Sequence, residues 1–137
     1  MESPSEPRIE LQQIALSPDM AQGFWRIRWQ VDNLGGDALK INLVQIPHGQ
    51  FKSAARYFTP ALDVAARASE RFESLVECHE PAGLVTENAF AIFHCQWRGE
   101  AWRIFVRVRV DVDPTGEPHA TTELITTQKV GFSGISN

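Results

Sequence analysis

The amino-acid sequence predicts an all-β protein, an antiparallel β-sandwich of about seven to eight strands. Apolar and polar residues alternate with a period of two over 24–33 and again over 89–130, which is typical of half-buried strands. Turn residues separate these runs at short intervals. Of the 137 residues, 43% are hydrophobic and 22% are charged, and this composition and length are typical of one globular domain.

The domain boundaries follow from composition. Residues 1–7 contain two prolines, two serines and two glutamates and predict a disordered lead-in. A single sandwich domain is expected over 8–132, with a short tail at 133–137. The first strand is expected over 8–16, with a bulge at Gln12-Gln13.

The clearest strand is expected over 24–33. Successive strand residues point to opposite faces, so this strand has one strongly apolar face. The residues on that face are Trp25, Ile27, Trp29 and Val31. A Leu-Gly-Gly-Asp turn leads to a strand over 38–46, and Pro47 ends it because proline has no amide hydrogen to donate to a ladder. The inward residues of this second strand are expected to be Leu39, Ile41 and Leu43.

Residues 59–79 fit two structures. Thr59 and Pro60 make a good helix N-cap and first-turn pair, which predicts a helix near 60–78 and an α+β fold. The alternative is a connection to about residue 69, followed by a strand over 70–78 in which Ser74 faces inward among apolar neighbours. Local propensity favours the helix, but the surrounding strands favour the sheet, and we adopt the sheet as the prediction.

A hairpin is expected around a two-residue turn at Gly99-Glu100, since glycine in the first position suits a type II′ turn. This register pairs apolar residues with apolar residues throughout, whereas a slip by one residue would turn one strand's apolar set outward. The expected pairs are Trp97 with Trp102, Cys95 with Ile104, Phe93 with Val106, Ala91 with Val108 and Ala89 with Val110.

The segment 113–116, Asp-Pro-Thr-Gly, predicts a second tight turn, of type I with a G1 bulge. On the inward face the expected pairs are Val110 with Ala120, Val108 with Thr122, Val106 with Leu124 and Ile104 with Thr126. On the reverse face Arg107 would meet Glu123, and Phe105 would meet Ile125. An opposite-charge pair and an apolar pair both support this register.

The reverse face of this meander combines arginines with large apolar residues. A face open to solvent does not require two phenylalanines and two isoleucines, and aromatic residues and arginine are enriched in protein interfaces. We therefore expect a partner to bind around Phe105, unless an earlier strand or the segment 51–69 folds over this face. The candidate interface residues are Phe90, Ile92, Arg103, Phe105, Arg107, Arg109, Glu123 and Ile125, with His94 beside them.

The strand pattern resembles that of immunoglobulin-like and fibronectin-type domains over about 8–132. The residues that carry the resemblance are Trp29-x-Val31-x-Asn33-x-Gly35, followed by Leu39-x-Ile41-x-Leu43. The resemblance implies a sandwich fold and no particular activity, because this fold hosts many functions. Cys78 and Cys95 would lie in strands that the disulfide of antibody domains does not join.

No motif for catalysis, a metal or a cofactor is found. The dipeptides Cys78-His79 and His94-Cys95 cannot hold one zinc ion between their own side chains, because neighbours on a strand point to opposite faces. The acidic segment 111–117 lacks the length and the distal glutamate of a calcium loop. Ser133 lies outside any nucleophile elbow, and no phosphate-binding loop occurs. We expect no cofactor, no metal and no enzymatic activity.

The net charge and the targeting patterns of the sequence limit the classes of partner that we expect. The net charge of −4 gives no overall attraction to nucleic acid, and Arg26 and Arg28 are expected on a different sheet from the other candidate arginines. No secretory signal and no run of about 20 apolar residues is found. These observations predict a cytoplasmic protein that binds neither nucleic acid nor a membrane and keeps its cysteines reduced.

The sequence therefore predicts a binding or assembly module that contacts a protein partner or a second copy of itself, for instance as a homodimer. The alternative is a small-ligand or enzymatic role for end loops around His48 and Phe51, since loops often carry function. The simpler interpretation of Phe51 is an anchor that holds its loop on the core. A concave pocket with convergent polar groups would favour the ligand role.

Overall fold

Eight antiparallel strands in two sheets make up the fold, which a computed structural model describes for residues 5–19 and 21–130. The strands are β1 (Ile9–Pro18), β2 (Phe24–Asn33), β3 (Leu39–Ile46), β4 (Ser53–Val64), β5 (Ser69–Glu77), β6 (Val85–Trp97), β7 (Glu100–Val112) and β8 (Pro118–Lys129). One sheet has the order β1-β2-β5 and the other β4-β3-β6-β7-β8. The predicted all-β class is confirmed, and the architecture is a two-sheet sandwich.

Two parts of the predicted domain plan lie outside the described residues. These are residues 1–4 of the lead-in and residues 131–137, which comprise the end of the predicted domain and the tail at 133–137. Within the lead-in, Pro7 is buried beside the start of β1. The described part of the chain contains no helix that is long and apolar enough to cross a membrane.

The inward faces of the two sheets form one hydrophobic core. In β2, the predicted inward set is confirmed: Ile27, Trp29 and Val31 are buried, and Trp25 packs against the core. In β7 the buried residues alternate with outward ones over the whole strand. They are Trp102, Ile104, Val106, Val108, Val110 and Val112. Each large apolar side chain buried in this way contributes roughly 1.5–3 kcal/mol.

The ambiguous segment 59–79 forms strands, so the adopted prediction of a sheet is confirmed and the alternative helix near 60–78 is absent. Its second part is β5, in which Ser74 is buried between Phe72 and Val76. Burial of this hydroxyl is tolerated because Trp29 Nε1 donates a hydrogen bond to Ser74 Oγ at 2.9 Å. Strand β4, which covers part of the predicted connection, was missed because a register shift between Tyr57 and Leu62 breaks its period of two.

Bulges also change the facing of β1 and β3. In β1 the extra residue is Ile14, slightly later than the predicted bulge at 12–13. In β3 the extra residue is Asn42, which turns Leu43 outward and brings Val44 and Ile46 into the core. The predicted inward position of Leu43 is therefore wrong, because a strand's facing reverses after one inserted residue.

The β6–β7 hairpin has a register that differs by two residues from the prediction. Trp97 lies opposite Glu100, and Cys95 lies opposite Trp102. The turn residues are Arg98 and Gly99, with φ of 52° and 74°, and positive φ at both positions is typical of a type I′ turn. A shift by two keeps each side chain on its predicted face, so the apolar alternation could not distinguish the two registers.

The β7–β8 hairpin follows the prediction for its first half. Val110 lies opposite Ala120, and Val108 lies opposite Thr122. Glu123 is then an extra residue, so Arg107 lies opposite Leu124, and Val106 lies opposite Ile125. The four predicted pairs beyond Thr122 are therefore wrong by one residue. They are Val106 with Leu124, Ile104 with Thr126, Arg107 with Glu123 and Phe105 with Ile125.

Candidate protein interface

The solvent side of the five-stranded sheet, which we call the outer face, carries a cluster of large apolar side chains. Ile92 and Phe105 lie opposite each other on β6 and β7 and are half-buried by their neighbours. Around them the apolar cluster is more exposed. The exposed members are Phe90 at 39%, Leu124 at 51% and Tyr57 at 65%, and Leu43 is half-buried beside Tyr57. Because exposed apolar patches are typical of interaction sites, this cluster makes the outer face the candidate interface.

None of the described strands lies over the outer face. β1 belongs to the three-stranded sheet, and β4, the strand within the segment 51–69, pairs with β3 as an edge strand of the same sheet. These were the segments that could have covered the face. Phe105 and its neighbours are therefore open to a partner as far as the described residues extend.

Charged groups on the outer face are distributed unevenly along β7. Arg107 Nε lies 3.6 Å from Glu123 Oε1, which neutralises the middle of the strand. At one end Arg109 lies between Glu87, at 3.8 Å, and Asp111, at 3.5 Å. This end carries two carboxylates and one guanidinium, so it is acidic.

The other end of β7 is basic. Arg103 forms no salt bridge within the described residues and lies opposite His94. Burial lowers the pKa of His94 below its ordinary value, and the charge of Arg103 lowers it further. His94 is therefore neutral at pH 7, and the positive charge of this end is that of Arg103.

The outer side of the three-stranded sheet carries paired charges, in contrast to the apolar cluster of the outer face. Arg26 pairs with Asp19 at 3.0 Å, and Arg28 pairs with Glu73 at 2.9 Å. The expectation that Arg26 and Arg28 lie on a different sheet from Arg103 is confirmed. The arginines of the sequence therefore do not form one continuous basic stripe of the kind that tracks a nucleic-acid backbone.

Most of the predicted interface residues come together on the outer face. Glu123 reaches Arg107 from the bulge, but Ile125 turns inward and packs against the core. The outer-face residues that the sequence analysis missed are Leu43, Tyr57 and Leu124. Each follows a bulge or lies in the strand that was not predicted, so the simple period of two could not place them.

The end loop around His48 and Phe51 does not bring these two side chains together. Phe51 is fully buried and packs edge-on against Trp29 with ring centroids 6.4 Å apart, so it anchors the loop on the core. His48 is exposed. A groove of about 580 Å³ lies nearby, but it is lined by residues of β2, β3, β4 and β5 and by the loop residues Pro47 and Lys52, and neither His48 nor Phe51 is among them.

The cysteines are buried free thiols. Burial raises the pKa of Cys95 to about 12 and raises that of Cys78 as well. Both thiols therefore stay protonated at neutral pH, and a protonated thiol is a weak nucleophile and a weak metal ligand.

Among the described residues, Asp113, Glu117 and His119 bring three possible metal ligands within 4.8 Å of one another. The Asp113 carboxylate is already used by the turn. Its Oδ1 accepts hydrogen bonds from Thr115 N, Thr115 Oγ1 and Glu117 N, at 2.9, 2.7 and 3.0 Å. Its Oδ2 lies 2.8 Å from His119 Nε2. The cluster is explained by the β7–β8 turn.

Comparison of the chain with protein-family models, curated proteins and solved structures finds no match. The sandwich architecture does not indicate an activity, because sandwiches host many functions. The candidate interface therefore rests on the geometry of this chain.

Proposed function

We propose that this protein is a non-enzymatic assembly module whose outer face packs against the same face of a second copy. The observation that carries the proposal is the contrast between the two sheets. One exposes ion-paired polar side chains, whereas the other exposes the aromatic and aliphatic cluster around Phe90 and Phe105. Apolar clusters with aromatic residues and an arginine rim are the usual composition of a protein interface.

The distribution of charge favours a second copy as the partner. Two outer faces can meet about a two-fold axis that lies in the interface plane, perpendicular to β7 and close to Arg107. Because β7 of one copy then runs antiparallel over β7 of the other, Arg103 lies over the partner copy's acidic end at Asp111. A self-complementary patch of this kind is what a two-fold interface requires.

The same arrangement matches the aromatic residues. Phe105 lies two residues from the axis on one side and Arg109 two residues on the other, so each Phe105 ring meets an arginine of the second copy. Phe90, which lies opposite Arg107, falls next to the axis and meets its own equivalent. Stacked sheets pack about 10 Å apart with interdigitated side chains, so these rings would form the centre of the contact.

We further propose that the sandwich is of the immunoglobulin-like, fibronectin-type kind. The order β1-β2-β5 against β3-β6-β7 corresponds to strands A, B and E against C, F and G of such domains. β4 pairs with β3, which resembles the fibronectin arrangement. β8 is an additional strand at the far edge of the five-stranded sheet. The buried free thiols support a reducing compartment, which we take to be the cytoplasm.

The proposal is tested by the mass in solution. Wild-type protein should sediment as a dimer. Phe90→Glu brings two carboxylates together beside the axis and should weaken dimerisation by about 30-fold or more, which is the effect of losing a 2 kcal/mol hot spot. Leu75→Glu is the matched control, because Leu75 is 50% exposed on the outer side of the other sheet and its substitution should leave the dimer unchanged.

Charge reversal tests the two-fold axis itself. Arg103→Asp should weaken the dimer because two acidic groups then face each other, and the double variant Arg103→Asp with Asp111→Arg should restore it. A wild-type monomer over the whole concentration range would overturn self-association. Equal dimerisation of Phe90→Glu and wild type, with circular dichroism confirming that each variant is folded, would overturn the outer face as the site of contact.

A further inference from the structure

A groove of about 740 Å³ runs along the side of the sandwich where the two sheets meet. Its walls are β1 and β8, which are the edge strands of their sheets. The β1 wall carries Ile9 and Leu11, the β8 wall carries Leu124 and Ile125, and Leu34 lies at the rim. The groove therefore combines an apolar lining with the edges of two strands that pair with no further strand among the described residues.

One end of the β8 edge, next to the groove lining, is closed by a side-chain amide. Gln13 Nε2 donates to Pro118 O at 3.0 Å, and Ala120 N donates to Gln13 Oε1 at 2.8 Å. Next to it Thr122 Oγ1 donates to Leu11 O at 2.9 Å. The Gln13 amide thus occupies the donor and acceptor positions that the backbone of a neighbouring strand would occupy on the edge of β8.

Beyond this amide no strand of the described residues pairs with the outer edge of β8. Val130 N donates to Ala101 O at 2.9 Å, and in an antiparallel pair every second residue bonds to its neighbour. The backbone groups of Ile125 and Thr127 therefore point away from β7, toward the groove. Thr127 Oγ1, in the same wall, is buried and has no hydrogen-bond partner among the described residues.

This open stretch lacks the features that usually prevent strand addition. Edge strands are commonly protected by proline, lysine or bulges. On β8 these are Pro118, the bulge at Glu123 and the final Lys129. The residues between the bulge and the end of the strand, 124–128, read Leu-Ile-Thr-Thr-Gln and include strong β-formers without a charge.

We propose that the open half of this groove binds an extended peptide of a partner protein, which adds to the edge of β8 as a sixth strand. The Gln13 amide already demonstrates this pairing chemistry at the closed end. Five residues along 124–128 span about 16 Å, and every second side chain of the peptide would enter the apolar floor between Leu11 and Ile125. Main-chain hydrogen bonds provide affinity in this mode, and the alternate side chains provide specificity.

The charge of the lining indicates which peptides fit. Glu6 and Glu10 line the groove against one basic residue, Arg8, while Glu123 in the same lining is paired with Arg107. A peptide whose apolar positions are flanked by lysine or arginine would therefore be preferred over one flanked by acidic residues. The site adjoins the outer face at Leu124 but depends on the backbone edge of β8, so it does not rest on the proposed dimer.

The test uses a fluorescein-labelled peptide in which valine alternates with threonine between terminal lysines. Fluorescence anisotropy should show saturable binding to the wild-type protein, and hydrogen exchange of the Ile125 and Thr127 amides should slow when the peptide is added. Thr127→Pro removes an amide hydrogen that points toward the groove. The hydrogen bonds between β7 and β8 are kept, because this amide takes no part in them. The proline variant should weaken binding by about tenfold or more, whereas Thr127→Val keeps the amide and should bind the peptide more tightly than Thr127→Pro does.

Two further binding measurements do not depend on the stability of the Thr127→Pro variant. A peptide with N-methyl groups on its central residues should not bind, because it cannot donate to β8, and Phe90→Glu should bind the unmodified peptide as wild type does. An acid-flanked peptide should bind more weakly than the lysine-flanked one. Absence of saturable binding to wild type, or equal binding of the N-methylated peptide, would overturn the proposal.

Discussion

Asn33, a buried polar residue at the end of β2, accounts for the motif that suggested the fold. Its Nδ2 donates to Asp37 O, Val64 O and Ala65 O at 2.9, 3.1 and 3.2 Å. Its Oδ1 accepts from Gly35 N at 3.0 Å. One amide therefore holds the β2–β3 turn against the end of β4, which explains why this chain has asparagine and glycine two residues apart at this turn.

Replacing Asn33 should be among the most destabilising polar substitutions in the chain. Asn33→Ala leaves several buried backbone groups without partners, and we expect a loss of about 2–4 kcal/mol in the free energy of unfolding. Asn42→Ala, in the exposed bulge of β3, is the control and should change this free energy by less than about 0.5 kcal/mol. Urea denaturation of both variants checks the difference, and equal stabilities would contradict the role given to Asn33.

At the scale of strands, the period of two located most elements but not the residues where it breaks. Strand β2, the inward set of β7 and the inward serine of β5 were predictable because alternation fixes facing. The bulges at Asn42 and Glu123 were not, since an inserted residue leaves the composition of a strand unchanged while reversing its faces. Ile125 and Leu124 exchanged their predicted faces for this reason.

The turn between β7 and β8 depends on the charge of Asp113. Hydrogen bonds from Thr115, from His119 and from the Glu117 amide lower the pKa of Asp113 in the folded protein. Because the pKa of Asp113 is lower in the folded chain than in the unfolded chain, its ionised carboxylate stabilises the fold. This stabilisation is fully present above the unfolded pKa of about 4 and is lost as the pH falls toward the folded pKa. The hairpin should therefore weaken in acid.

Comparison with Asp113→Asn isolates this contribution, because all other carboxylates titrate in both proteins. Wild type should be the more stable at pH 7, and the difference in the free energy of unfolding should narrow as the pH falls below about 4. Urea denaturation at pH 7, 4 and 3 measures it. A difference that stays constant across this range would exclude ionised Asp113 as the stabilising group.

At the scale of the whole molecule, the two outer surfaces of the sandwich differ in kind. The three-stranded sheet exposes paired charges, and the five-stranded sheet exposes the cluster around Phe90 and Phe105. The sequence could place most of this cluster on one face because β6 and β7 alternate regularly. It could not reveal whether another segment covers the face, since that depends on sheet order rather than on local pattern.

The measurement that tests the central claim most directly is an isotope-filtered nuclear Overhauser experiment on a mixture of labelled and unlabelled protein. This experiment detects only contacts between copies. Face-to-face packing about the axis near Arg107 predicts transfer from the Phe105 ring of one copy to the Arg109 side chain of the other, and between the Phe90 rings. Contacts centred on Leu75, or no transfer between copies at concentrations where the protein is dimeric, would contradict an interface on the outer face.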